Sequence, residues 1–193
     1  ISDLVFDKSF PLGLNDLNSK ISFYDINDNY ALIFNEDDDT PDMVKIENDE
    51  DYIPEGEEVV ISCLKSNSHP KQGVMIYKIA YKDKSLVYAT DTEGYVGANK
   101  KLVLFARDTD LLIHDAQYTS EEYLNAYFSK QGYGHSTFDM ALETFSQAKA
   151  KSLAFFHFDP NYNDEFLLEI ENHYTENCKN CFIPKEGQEI VLR

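Results

Sequence analysis

Positive charge is what this chain most lacks: 17 Lys and Arg stand against 35 Asp and Glu, a formal net charge of −18 over 193 residues. A surface of that sign repels phosphate backbones. No basic cluster larger than Lys100-Lys101 offers a local exception, so nucleic acid is disfavoured as a partner. Cysteine is scarce too, and three of them argue against a disulfide framework and for a reducing, cytoplasmic setting. No apolar run reaches the roughly 18 residues that a membrane span needs, and Ile1–Lys8 has neither the basic start nor the apolar centre of a secretion signal. A membrane partner is therefore not expected. Gly-rich phosphate loops are missing, and no Ser has glycines two before and two after it, which removes the nucleophile elbow of serine hydrolases. Tryptophan is absent; 13 Tyr and 13 Phe supply the large core side chains instead.

The length suits a single domain, residues 1–193, with no repeat or low-complexity linker. Residues 1–58 read as an irregular acidic β segment, with short strands at Ile21–Ile26, Ala31–Phe34 and Met43–Ile46. Two acidic runs, Glu36–Asp39 and Glu47–Asp51, separate them. Neither has the alternating spacing and glycine of a calcium loop, so both read as solvated hairpin tips. The chain opens without Met, and the expectation is that it begins partway through something larger.

From Val59 the pattern sharpens. Val59–Leu64, Gly73–Tyr81 and Ser85–Thr90 read as strands, the last two joined by the polar turn Lys82-Asp83-Lys84. Asn99–Arg107 reads as a short helix and Asp110–His114 as a strand. Glu121–Phe128 reads as a helix opened by Thr119 and Ser120. Phe138–Lys149 is a helix with an apolar stripe at Met140, Ala141, Thr144, Phe145 and Ala148. Ser152–Phe156 is a buried strand, Asp164–His173 a last helix and Glu189–Leu192 a closing strand. Strands followed by alternating strand and helix indicate a layered α/β architecture.

Three of the apolar runs stop at a ligating or acid–base side chain. One ends in Thr90-Asp91-Thr92, one in His114-Asp115-Ala116 and one in His157-Phe158-Asp159-Pro160. Buried strands carrying Asp and His at their ends are a way to build a metal site along one rim of a sheet. Imidazole and carboxylate suit Zn, Mn or Fe. His69, in the loop Ser66-Asn67-Ser68-His69-Pro70, is a further candidate, although a loop histidine is as well explained by solvent. His135 lies in a loop flanked by Gly132 and Gly134, which let backbone approach a ligand closely. Asp115 could orient it as a general acid, or each could serve only its own turn. His114 should point away from Asp115 and be structural. His173 should face solvent. Cys178-Lys179-Asn180-Cys181 lacks the second pair that would close a zinc site.

Read in order, these segments resemble the metallo-β-lactamase superfamily, in its phosphodiesterase-like branch with tRNase Z and the phosphoribosyl cyclic-phosphate phosphodiesterases. The carriers are Ser68-His69-Pro70, then Val87-Tyr88-Ala89-Thr90-Asp91-Thr92-Glu93. After them come Leu112-Ile113-His114-Asp115-Ala116, Gly132-Tyr133-Gly134-His135-Ser136-Thr137 and Phe156-His157-Phe158-Asp159-Pro160. The resemblance implies an α/β fold, the αββα sandwich, of which residues 59–193 supply the C-terminal half while most of the N-terminal half is missing. It implies that His69 ligates one divalent metal, Asp91 bridges two and His157 ligates the second, with Zn or Mn as the ions. It implies that His135, supported by Asp115, protonates the leaving oxygen after a metal-bound hydroxide attacks. The activity implied is hydrolysis of a phosphodiester, and the acidic composition favours a small-molecule one. The family's His-x-His-x-Asp-His motif does not occur; the nearest two histidines in the sequence, His157 and His173, are 16 residues apart. Three expectations account for that: a fragment of a longer enzyme, a site completed by another segment or by a homodimer, or a degenerate, non-catalytic binding or regulatory module on the same scaffold.

Overall fold

A computed structural model of the chain describes residues 18, 21–28, 30–46, 54 and 56–192. Among them, eight strands form one sheet. These are β1 (Tyr30–Phe34), β2 (Asp42–Lys45), β3 (Val59–Ser66), β4 (Val74–Tyr81), β5 (Lys84–Ala89), β6 (Leu111–Asp115), β7 (Leu153–Phe156) and β8 (Cys181–Phe182). Their order in space is β2-β1-β3-β4-β5-β6-β7-β8. The half from β2 to β5 is antiparallel. It is folded by local hairpins, and the tightest joins β4 to β5 through Lys82-Asp83, with Tyr81 paired to Lys84. The other half, β5 to β8, is parallel, which requires crossover connections.

Four helices occupy or follow those connections: α1 (Lys100–Phe105), α2 (Ser120–Tyr123), α3 (Phe138–Ala148) and α4 (Asp164–Thr175). Thr137 caps α3 by accepting from the Met140 amide at 3.2 Å, and the helix buries Phe138, Ala141, Thr144 and Ala148. These pack with Leu102 and Ala106 onto one face of the sheet, where Ile76, Val87, Leu112, Leu153 and Phe155 meet them. The Phe138 and Phe155 rings are both fully buried and lie 5.3 Å apart. Burying each is worth about 1.5–3 kcal/mol.

The opposite face is different. Tyr77, Tyr88 and Ile113 share one register row across β4, β5 and β6, with Ile79 and Leu86 in the next. These side chains are half-buried or exposed and join no buried cluster among the described residues. Among the described residues one sheet and one helical layer are present, half of the four-layer sandwich, and the second face of the sheet is largely apolar and only half-buried.

Several sequence expectations need correction. Residues 21–27 form no strand. The helix expected over Glu121–Phe128 ends at Tyr123, because the Asn125 side chain accepts from the Tyr127 and Phe128 amides and turns the chain. Glu189–Leu192 is irregular; the closing strand is β8, formed within the cysteine segment. A disulfide, which the low cysteine count argues against, joins Cys178 and Cys181 across a turn that brings their Cα atoms to 5.4 Å. β1 and β2 do not stand apart from the later strands, since β1 pairs with β3. Glu36–Asp39 sits between β1 and β2 as a hairpin tip, whereas Glu47–Asp51 and Ile1–Lys8 lie outside the described residues. Among the described residues no helix is long and apolar enough to cross a membrane.

Candidate metal centre

Because β5, β6 and β7 run parallel, their C-terminal ends share one rim. Asp115 is the last residue of β6, His157 follows β7 directly and Asp91 lies just past β5. His69 reaches the same rim from the β3–β4 loop, and His135 from the loop before α3. The five residues singled out in the sequence therefore converge. Ligating atoms of His69, Asp91 and His135 all lie within 4.8 Å of one another, as do those of Asp115, His135 and His157.

Backbone conformation at two of these positions is unusual. Asp91 has φ 52 and His157 has φ 63, both in the left-handed region that side chains other than glycine's enter at a cost. Each reversal terminates its strand. The two side chains face each other, His157 Nε2 at 3.5 Å from Asp91 Oδ1.

Asp115 is fully buried and its oxygens are saturated. Oδ1 accepts from the Ser136 amide at 2.9 Å and the Gln117 amide at 3.3 Å. Oδ2 accepts from His135 Nδ1 at 2.9 Å and the Thr92 amide at 3.4 Å. A buried carboxylate is tolerated when it is bonded in this way. Its demand for donors fixes the His135 tautomer: Nδ1 carries hydrogen toward Asp115, which leaves Nε2 for the site. The hydrogen bond that His135 donates to Asp115 raises the His135 pKa above the ordinary histidine value, partly opposed by burial. The His135 ring stacks on His157 at 5.0 Å and meets His69 edge-on at 5.6 Å.

Nitrogen and carboxylate oxygen donors at this spacing fit a divalent transition ion. His69 and Asp91 fall in one group and His157 in the other; all three are partly open to solvent, while the Asp115 oxygens are already committed. A cleft of about 460 Å³ opens beside His69, lined also by Ser68, Lys71, Glu93, Tyr95 and Gly132.

Residues that the sequence did not flag tie the rim together. Ser68 Oγ bonds Ser66 Oγ at 2.7 Å and Thr92 Oγ1 at 2.6 Å. Ser136 Oγ donates to the Thr92 carbonyl at 2.5 Å. These buried hydroxyls join the loops bearing His69, Asp91 and His135. Their only signal in the sequence is that small hydroxyl residues flank the histidines. His114 behaves as expected of a structural residue. It is fully buried, its Nδ1 is 2.8 Å from the Asp115 carbonyl, and burial holds its pKa below the ordinary value. His173 is exposed on α4.

The family described as beta-lactamase superfamily domain matches residues 23–158. Ribonuclease Z of Pyrococcus furiosus is 34% identical over 108 residues, 55% of this chain and 31% of that protein. Ribonuclease Z of Thermococcus sibiricus is 36% identical over 122 residues, 63% of this chain and 32% of that one. The matched segment thus spans about a third of the length of these relatives. Among solved structures, the metallo-beta-lactamase fold protein YhfI from Bacillus subtilis aligns with a TM-score of 0.53 at 19% identity, covering 67% of this chain and 48% of its own. The short form of human tRNase Z aligns at 0.50 and 20% identity, covering 74% and 44%. These two structural likenesses speak to the fold.

Proposed function

This chain belongs to the metallo-β-lactamase superfamily, and on that premise we propose that it is a metal-dependent hydrolase acting on a small phosphodiester. One observation carries the reading: ligating atoms from His69, Asp91, His135, Asp115 and His157 gather in two overlapping groups, each within 4.8 Å. In this proposal His69 would hold one divalent ion and His157 a second, and Asp91, whose Oδ1 lies 3.5 Å from His157 Nε2, would serve both; Zn²⁺ or Mn²⁺ fits the donor type. Such an ion supplies Lewis-acid charge at the phosphoryl oxygens and for activating water. The remaining donors for both ions would come from another segment or a second copy of the chain.

His135 is the general acid. Its Nδ1 is occupied by Asp115 and its pKa is raised by that bond, so the protonated imidazole persists toward neutral pH with Nε2 available to the departing oxygen. A cleft of about 460 Å³ beside His69 suits a small substrate. A second reading, cleavage of RNA, is favoured by the name of the matched relatives, ribonuclease Z. The net charge of −18 weighs against it.

The test combines metal analysis with turnover of a chromogenic phosphodiester after loading with Zn²⁺ or Mn²⁺. Asp91→Asn and His157→Ala should lose metal. His135→Ala should keep it and turn over roughly 10²- to 10⁴-fold more slowly. A loaded wild-type protein carrying less than about 0.1 ion per chain would defeat the proposal, and loss of metal from His135→Ala would make His135 a ligand.

A further inference from the structure

Glu93 lies just beyond Asp91 and is absent from both converging groups of ligating atoms. Its carboxylate is nonetheless the most heavily engaged acidic group at the rim after Asp115. Oε1 accepts from the Gly132 amide at 2.6 Å and from the Tyr123 hydroxyl at 2.5 Å. Oε2 accepts from the Gly134 amide at 3.1 Å. Its own amide donates to the Ser68 carbonyl at 3.3 Å. One residue therefore touches the loop bearing His69, the turn bearing Asp91 and the loop bearing His135.

The loop that Glu93 grips has little freedom of path. Gly132 and Gly134 both have positive φ, 82 and 92, so their amides can converge on one anion as in an anion-binding nest. At Gly134 the backbone passes so close to the β3–β4 loop that an added Cβ would sit 2.5 Å from His69 Cδ2 and 2.5 Å from Pro70 Cδ. The next residue is His135. Its 2.9 Å bond to Asp115 requires the loop to lie on that path. Three donors thus occupy the carboxylate, two on Oε1 and one on Oε2.

We infer that Glu93 is a positioning residue: its carboxylate clamps the Gly132–Gly134 loop against His69 and so sets His135 in place as the general acid. The inference rests on the reading of His135 as that acid, while the clamp itself concerns only the loop.

The experiment compares Glu93→Ala and the isosteric Glu93→Gln in the metal-loaded protein. Four quantities are read: amide exchange at Gly132 and Gly134, bound metal, kcat and KM. Glu93→Ala should exchange both glycine amides roughly five- to tenfold faster, as expected for the loss of a charge-assisted bond. It should lower kcat roughly 10- to 100-fold through misplacement of the acid, with metal content and KM nearly unchanged. Glu93→Gln keeps one acceptor oxygen and should fall between wild type and Glu93→Ala. In a His135→Ala background, Glu93→Ala should add almost no further loss, because both changes remove one function. Unchanged exchange at the two glycines overturns the clamp, even where Glu93→Ala is too unstable to purify and only Glu93→Gln is measured. Loss of metal, or full multiplication of the two kinetic losses, overturns the positioning role. A His135→Ala protein with normal turnover overturns the acid instead, and leaves the exchange measurement to decide the clamp.

Discussion

Gly134 is the most tightly confined backbone position of the centre. It combines positive φ (92) with an imidazole and a proline ring at 2.5 Å from any added Cβ, whereas Gly132, also at positive φ (82), has open space there. The pair separates backbone strain from steric exclusion. Gly132→Ala should cost about 1–2 kcal/mol, the price of a left-handed non-glycine residue. Gly134→Ala should cost about 2–4 kcal/mol and also abolish turnover, because relief of the clash moves His69 or the His135 loop. Urea unfolding and a phosphodiester assay on both variants check this; equal losses would mean the loop yields freely. The five converging side chains were legible in the sequence because each is a ligating type that ends an apolar run or sits in a marked loop. Glu93 was not, being one of 35 acidic residues whose role depends on donors supplied by residues 123, 132 and 134. Nor could the left-handed backbone at Asp91 and His157 be read from a strand pattern, which says where extension stops and not how.

At the scale of elements, long periodic segments were readable and short ones were not. α3 was found by its apolar stripe. β6 and β7 were found by continuous apolar runs of strand length, Leu111–Ile113 and Leu153–Phe156. α2 was overextended because its capping box, Thr119 with Glu122, marks a start but carries no stop; the stop is the Asn125 turn. β8 has only two residues, too few for any period, and exists because β7 offers it a parallel edge. The Cys178–Cys181 disulfide staples the end of α4 to that edge. In the chain-entropy account a loop this short contributes about 2 kcal/mol, so reduction should lower the urea midpoint accordingly with an unchanged m value. Burial pushes the remaining thiol, Cys63, up to about 11. Alkylation of the native protein at pH 8 should therefore label no cysteine before reduction and two after it. A labelled Cys63 would mean that β3 opens more readily than its central place in the sheet implies.

For the whole molecule, two properties pull in different directions. A sheet whose second apolar face is only half-buried among the described residues asks for cover, because a parallel sheet is normally buried on both sides. The net charge of −18 opposes the approach of any other polyanion. The charge gives the sharper test of what enters the cleft. A protein that binds RNA through cations loses affinity as salt rises, since fewer counterions are released on binding. Here the long-range term is repulsive, and salt screens it; the Debye length falls to about 8 Å at physiological ionic strength. For the metal-loaded chain, kcat/KM on an RNA oligomer should therefore rise as salt is increased from about 20 to about 200 mM. A small singly charged diester should show a much weaker change, because it carries little charge to repel. A fall in kcat/KM for RNA over the same range would reveal a local cationic track that outweighs the net charge, and would move the assignment from small diesters to RNA.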